Sequence, residues 1–247
     1  MIEMLSIDLS NYCSKQCSFC YNHSTKRGNV MWTPSEVISF AKDCIAHGVK
    51  AVSLGGGEPF EYDGVFRIIE ALYPLCYLTI TSNGIPLENP DIWERLKAQH
   101  PDKIHLTIHQ PQSEEEVSRV VRQLGALENI GIKPGVNLLV GKDNLPAAIA
   151  TFEKVSKVLE AEQIILVPQR FGNTPTPREL AKVSMKRPFQ SPSCLLACAP
   201  PSHFASVTWD KKVGSCSFTA GKSPLPSLNF EGLCVALKNA QFKSCLS

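Results

Sequence analysis

The sequence predicts an α/β fold of six repeated β/α units, followed by a small cysteine-rich C-terminal β-hairpin module. Three observations carry this. From residue 4 to about residue 170, stretches with apolar residues at every second position alternate with stretches of helical periodicity. The second to sixth strand-like stretches begin near residues 51, 77, 103, 135 and 163, the spacing of a β–loop–α–loop unit. After residue 170 the chain turns rich in Pro, Ser and Thr, and the alternation stops. Six units in series imply a parallel sheet with right-handed crossovers. They are too few for a closed eight-stranded barrel. A partial (β/α)6 barrel of TIM type or an open doubly wound sheet remains, and either places its active site at the C-terminal ends of the strands.

Each element has its own signature. MLSIDLS alternates Leu5, Ile7 and Leu9 with polar residues and reads as the first strand. Thr33-Pro34-Ser35-Glu36 starts a helix, with Thr33 as N-cap, Pro at the first position and Glu36 closing a capping box; Gly48 is its C-cap. AVSLGG, YLTITSNG, KIHLTIHQ, GVNLLVG and QIILVPQR are the remaining strands. VFRIIEALY, DIWERLKAQ, SEEEVSRVVRQLGALENIG and NLPAAIATFEKVSKVLEA are the helices between them. The acids opening SEEEVSR suit the positive end of a helix. FGNTPTPREL and RPFQSPS read as a surface connection, and FASVTWDKKVGSCSF as a hairpin. The expected domains are a barrel core at 1–170, a connection at 171–189 and a C-terminal module at 190–247.

Composition narrows the function. The chain has 247 residues, 43% apolar and 19% charged, ordinary for a protein with a sizeable core. A net charge of +2 is no footprint for nucleic acid. No apolar run is long enough to span a bilayer, and no signal peptide is evident. The ten cysteines fit metal ligands in a reducing cytoplasm better than a disulfide framework.

CSKQCSFC follows the first strand and holds Cys13, Cys17 and Cys20. They could form a buried helical stripe, but the residues between them are polar and turn-like. Structural zinc wants four protein ligands, one more than the motif supplies. An iron–sulfur cluster held by three thiolates leaves one iron open. Gly55-Gly56-Gly57-Glu58-Pro59 ends the second strand, where glycines permit positive φ and close backbone approach; alone it reads as a tight turn. Thr81-Ser82-Asn83-Gly84 ends the third and also reads as a turn. His105, Thr107 and His109 share one face of the fourth strand. His105 is expected to be a hydrogen-bonded core residue and His109 a rim residue. Cys44 and Cys76 read as buried thiols.

The CxxxCxxC spacing, with Phe19 before the last cysteine, resembles the signature of the radical S-adenosylmethionine superfamily over roughly residues 4–170. The resemblance implies the partial barrel, and a [4Fe–4S] cluster on Cys13, Cys17 and Cys20 whose open iron chelates S-adenosylmethionine. Reductive cleavage would then give a 5′-deoxyadenosyl radical that abstracts a substrate hydrogen. It implies cofactor contacts from Phe19, Gly56, Gly57, Glu58 and Pro59, and from Ser82, Asn83, His109 and Asn137. It implies a reductant such as flavodoxin or ferredoxin. His109 at the rim, and Gln169 and Arg170 ending the sixth strand after the Pro168 break, are the residues expected to face the substrate. Cys194, Cys198, Cys216, Cys234 and Cys245 are similar to a shortened SPASM or twitch extension with an auxiliary cluster, although the later CxxC of the full pattern is missing. The expected substrate is a peptide. A small molecule or a glycyl radical enzyme is the alternative, and a non-enzymatic iron–sulfur or zinc regulatory protein is the alternative of another class.

Overall fold

A computed structural model describes residues 1–170, 172–192 and 195–244. The first six strands are β1 (Met4–Asp8), β2 (Ala51–Gly55), β3 (Tyr77–Ser82), β4 (Lys103–Ile108), β5 (Lys133–Val140) and β6 (Ile164–Pro168). Helices α1 (Pro34–Ala46), α2 (Val65–Leu72), α3 (Pro90–Ala98), α4 (Glu114–Asn129) and α5 (Leu145–Val155) connect them. These strands lie side by side in chain order and are all parallel. A doubly wound sheet reverses its strand order part-way. The unbroken order therefore selects the singly wound, partial-barrel arrangement, in which same-handed crossovers put the helices on one face.

Alternation along the strands separates the two faces. Leu5, Ile7, Val52, Leu54, Leu78, Ile80, Ile104, Leu106, Ile108, Val136 and Leu138 are buried beneath the helices and form the core. The inward positions are different in kind. Ser6 is in register with Ser53, Ser53 with Thr79, and Thr107 with Asn137. From β1 to β5 these small hydroxyls and an amide leave room and hydrogen-bonding capacity, while Leu139, Ile165 and Val167 make the inner wall apolar toward β6.

The capping box expected at α1 is present: Thr33 Oγ1 accepts from the Glu36 N–H, and Glu36 Oε2 accepts from the Thr33 N–H. The connection after β6 contains a helix that the sequence reading treats as loop, α6 (Pro177–Val183). It starts on Thr176-Pro177-Arg178-Glu179, which builds the same box as residues 33–36. The flanking prolines mask that signal.

The C-terminal hairpin forms from β7 (Phe204–Val207) and β8 (Lys212–Gly214), with a short β9 (Ser223–Pro224) beside it. Its β7 pairs parallel with β1 from Met4↔Phe204 to Ile7↔Val207. The sheet thus runs on through the hairpin, in the order β6-β5-β4-β3-β2-β1-β7-β8-β9. A final helix, α7 (Phe230–Asn239), packs back on α1, where its Phe230 N–H donates to Asp43 and the Phe230 ring stacks on His47.

Candidate active site

The cysteine loop leaves β1 and is folded on itself by backbone pairing. Cys13 N–H donates to Thr25 O, Thr25 N–H to Asn11 O, and Cys20 N–H to Cys17 O. Buried Asn22 donates to Ser10 O and to Ser24. The loop then rests on the glycine turn. Gly57 N–H donates to Ser10 O at 2.7 Å and Glu58 N–H to Tyr12 O at 2.9 Å. Gly56 has φ +109, and a Cβ on Gly57 would fall 1.8 Å from Tyr12 O. The glycines are required for this approach of two backbones, not only for a ligand.

Loop and turn enclose a cavity of about 380 Å³ at the C-terminal ends of the strands. Cys13, Cys17, Cys20 and Phe19 form one side, and Gly56, Gly57, Ser82, Asn83, His109 and Asn137 another. Gln169, Arg170, Ser217 and Phe218 complete it from β6 and the C-terminal segment. The rim residues expected from sequence therefore meet at one place, with two exceptions. Glu58 and Pro59 are buried but do not line the cavity. Glu58 turns behind the wall, where it accepts hydrogen bonds from Ser82 Oγ, the Asn83 N–H and the Phe60 N–H. Through these bonds it shapes the β3 rim. Burial raises its carboxyl to about 7, against the pull of those donors.

His105 lies below the cavity floor, its Nδ1 3.3 Å from Asn137 Oδ1. Burial, aided by Lys103, lowers His105 to about 4, so the ring is neutral near neutral pH.

Several lining residues carry no sequence signal that singles them out: Lys15, Tyr21 and Phe218. The Tyr21 ring packs on Phe218 at 5.0 Å and its hydroxyl donates to Asp8 Oδ1 at 3.3 Å. Asp8 is buried, its Oδ2 has no hydrogen-bond partner, and burial raises its carboxyl to about 6 despite Lys222 nearby. The Arg170 guanidinium lies 5.2 Å over the Phe218 ring. Glu116, in the first turn of α4, is a further residue the sequence reading leaves out. Its Oε2 pairs with Lys15 at 2.9 Å and its Oε1 accepts from the His109 N–H at 2.8 Å.

The donor set suits a cluster better than a lone ion. Three thiols face the cavity and no carboxylate lines it. Soft thiolates select zinc or iron–sulfur centres. Among the described residues no three His, Cys, Asp or Glu side chains come together closely enough for a single metal ion. Asn83 Nδ2 lies 3.6 Å from Cys13 Sγ, a donor able to stabilise a thiolate. Burial raises the Cys17 thiol to about 11, aided by Cys20 and Cys13 and opposed by Lys15. A bound cationic cluster would reverse that shift.

The C-terminal cysteines are less concentrated. Cys198 and Cys216 are half-buried. Cys216 immediately precedes the cavity-lining Ser217 and Phe218. Cys234 sits on α7 and acts electrostatically on Cys44 of α1, whose thiol burial raises to about 12. Cys194 and Cys245 lie outside the described residues. Cys76 is half-buried with its Sγ 3.6 Å from Leu72 O.

A family model for the Radical SAM superfamily matches residues 7–164. The chain belongs to the Radical SAM superfamily. That range runs from β1 to the start of β6 and contains the cysteine loop and the glycine turn. A probable GTP 3′,8-cyclase of Saccharolobus solfataricus is 25% identical over 177 residues, 67% of this chain and 56% of that protein. One of Methanocaldococcus jannaschii is 29% identical over 142 residues, 56% of this chain and 46% of that protein. The chain spans about half the length of these curated relatives. Among solved structures, Streptococcus suis SuiB bound to the precursor peptide SuiA superposes with a TM-score of 0.69 at 16% identity, over 88% of this chain and 60% of that one. The structure of anSMEcpe with bound AdoMet and a peptide superposes at 0.68 and 14% identity, over 96% and 81%. Both likenesses concern the fold. Membership of the superfamily implies a [4Fe–4S] cluster and S-adenosylmethionine, which the cavity's donor set fits. No helix among the described residues is long and apolar enough to cross a membrane.

Proposed function

We propose that this chain is a radical S-adenosylmethionine enzyme that modifies a peptide. One observation carries the reading: the cysteine loop, the glycine turn and the rims of β3, β4 and β5 all face a single cavity. Cys13, Cys17 and Cys20 hold the cluster. Gly56 and Gly57 offer backbone, and Ser82, Asn83 and Asn137 offer side-chain groups, to the zwitterionic and ribose parts of the cofactor. When bound, cluster and S-adenosylmethionine together supply reductive cleavage to a 5′-deoxyadenosyl radical and hydrogen abstraction. Phe19, Phe218 and Tyr21 exclude water around that chemistry. Gln169, Arg170 and His109 meet the substrate from the far side. A flavodoxin- or ferredoxin-like protein supplies the electron.

The peptide reading is supported by the solved structures with peptides, whose folds superpose over 88% and 96% of this chain. The cyclase relatives favour a nucleotide as the second reading. Residues 190–247 are proposed to cap the barrel and hold an auxiliary cluster through Cys198 and Cys216, with ligands from among Cys194, Cys234 and Cys245.

The test is anaerobic reconstitution with iron and sulfide, then dithionite and S-adenosylmethionine. Formation of 5′-deoxyadenosine is expected, and its absence with an intact cluster sinks the reading. A precursor peptide encoded nearby should raise the rate and change mass, and GTP should do neither.

A further inference from the structure

Among the described residues three helices start on Ser/Thr-x-x-Glu, and one of them behaves differently. At α1 and α6 the glutamate folds back onto its own N-cap, completing a local box. At α4, Ser113 Oγ accepts from the Glu116 N–H as the pattern requires. The Glu116 side chain, however, does not return to Ser113. It leaves the helix to meet Lys15 at 2.9 Å and the His109 N–H at 2.8 Å, with His109 Nδ1 3.5 Å away. The carboxylate is 5% exposed and the Lys15 side chain 14%. Burial alone would raise Glu116, but His109 and Lys15 outweigh it and hold the carboxyl down at about 2. A buried charge kept ionised in this way persists only where its partners are fixed.

The partners are informative. Lys15 lies between Cys13 and Cys17, and Phe19, whose ring stacks on His109 at 6.2 Å, precedes Cys20. Both attachments of the cysteine loop to the β4 rim therefore converge on Glu116. We infer that Glu116 is a positioning residue: it pins the cysteine loop to the end of β4 and balances the Lys15 charge beside the cluster site. The inference rests on the proposed function for the identity of the cluster, but not for the pinning.

Two readouts separate these parts. In metal-free protein the Cys13, Ser14 and Cys20 amides are all hydrogen-bonded, so the segment 13–20 should be protected from hydrogen exchange. Glu116→Gln should accelerate exchange there about tenfold, as loss of a buried partner would, and leave β2 and β3 unchanged. Lys15→Gln should do the same, and it leaves α4 intact should Glu116→Gln fail to fold. In reconstituted protein the cluster potential should move in opposite directions. It rises in Glu116→Gln, where an ammonium is left unbalanced, and falls in Lys15→Gln, where a cation is removed. A purely structural contact would move both the same way. Unchanged exchange in both variants, an unprotected segment in the parent protein, or shifts of the same sign would overturn the inference. Pinning without any 5′-deoxyadenosine would instead overturn the functional reading alone.

Discussion

The two cysteine-bearing regions of the molecule differ in how their ligands are brought together. The N-terminal loop places three cysteines within eight residues and fixes them by short-range backbone pairing and by the glycine turn beneath. The C-terminal region spreads five cysteines over residues 194–245; of those described, Cys198 and Cys216 lie outside strands and helices and Cys234 lies on α7. In the first, local sequence specifies the site and the sheet only presents it. In the second, any site depends on how β7, β8 and α7 dock against β1 and α1. Cys234 of α7 acts electrostatically on Cys44 of α1, so even its surroundings are set by helix docking and not by local sequence.

The largest expected effects break this comparison directly. Cys17→Ser should abolish 5′-deoxyadenosine formation and remove the catalytic iron. Cys198→Ala with Cys216→Ala should retain that product while iron falls from about eight to about four per chain. Iron near four in the parent protein would leave the C-terminal cysteines without a cluster.

A glycine comparison comes next. Gly57→Ala forces a Cβ against Tyr12 backbone, which cannot yield without moving the cysteine loop. A loss of about 3 kcal/mol, with impaired iron loading, is expected. Gly214→Ala in β8 meets the Thr219 and Lys222 side chains at 2.9 and 3.0 Å and the Cys216 carbonyl oxygen at 3.3 Å, a looser fit than at Gly57. Denaturant melts should place its cost below that of Gly57→Ala, at about 1 kcal/mol.

These contrasts explain what the sequence makes readable. The six β/α units were legible because strand alternation and cap residues are local signals, and CSKQCSFC because its ligands are contiguous. The contacts of Glu58 with Ser82 and Asn83 were not legible, since only the fold determines which side of a turn a side chain takes. Glu116 went unread for the opposite reason: Ser-x-x-Glu has an adequate local explanation, and its partner Lys15 is 101 residues away. The α6 helix was hidden by prolines whose role at the first helical position is the same at Pro34 and Pro177.

The buried carboxylates give a smaller effect with a definite sign. Glu58 has a folded value of about 7, above its ordinary 4.5, so ionisation works against folding. Its neutral form is fully favoured below about 4.5, and that advantage is lost as pH rises through 7. Glu116, held at about 2, does the reverse: its stabilisation is present above 4.5 and lost as pH falls toward 2. Stability measured by urea melts should therefore peak near pH 4.5 to 5 as far as these two groups decide it. Glu58→Gln should flatten the fall between pH 4.5 and 7 by on the order of 2 kcal/mol. An unchanged slope would mean that Glu58 is not desolvated.

The smallest effect tests whether the two regions are one structure. Trp32 follows the cysteine loop, is 2% exposed, and donates through Nε1 to Thr208 O just after β7 at 3.1 Å. Its ring also lies 5.8 Å from Phe40 and 5.0 Å beneath Lys211 Nζ. Trp32→Phe keeps much of the packing but leaves the Thr208 carbonyl without this donor, at a cost of about 1 kcal/mol or a few degrees in Tm. Because β7 continues the barrel sheet through β1, that loss should lower a single cooperative transition and not create a second. If instead the variant melts in two steps, or proteolysis near residue 190 releases an intact core, the hairpin is an appended unit. The parallel β1–β7 pairing would then contribute little to the stability of either part.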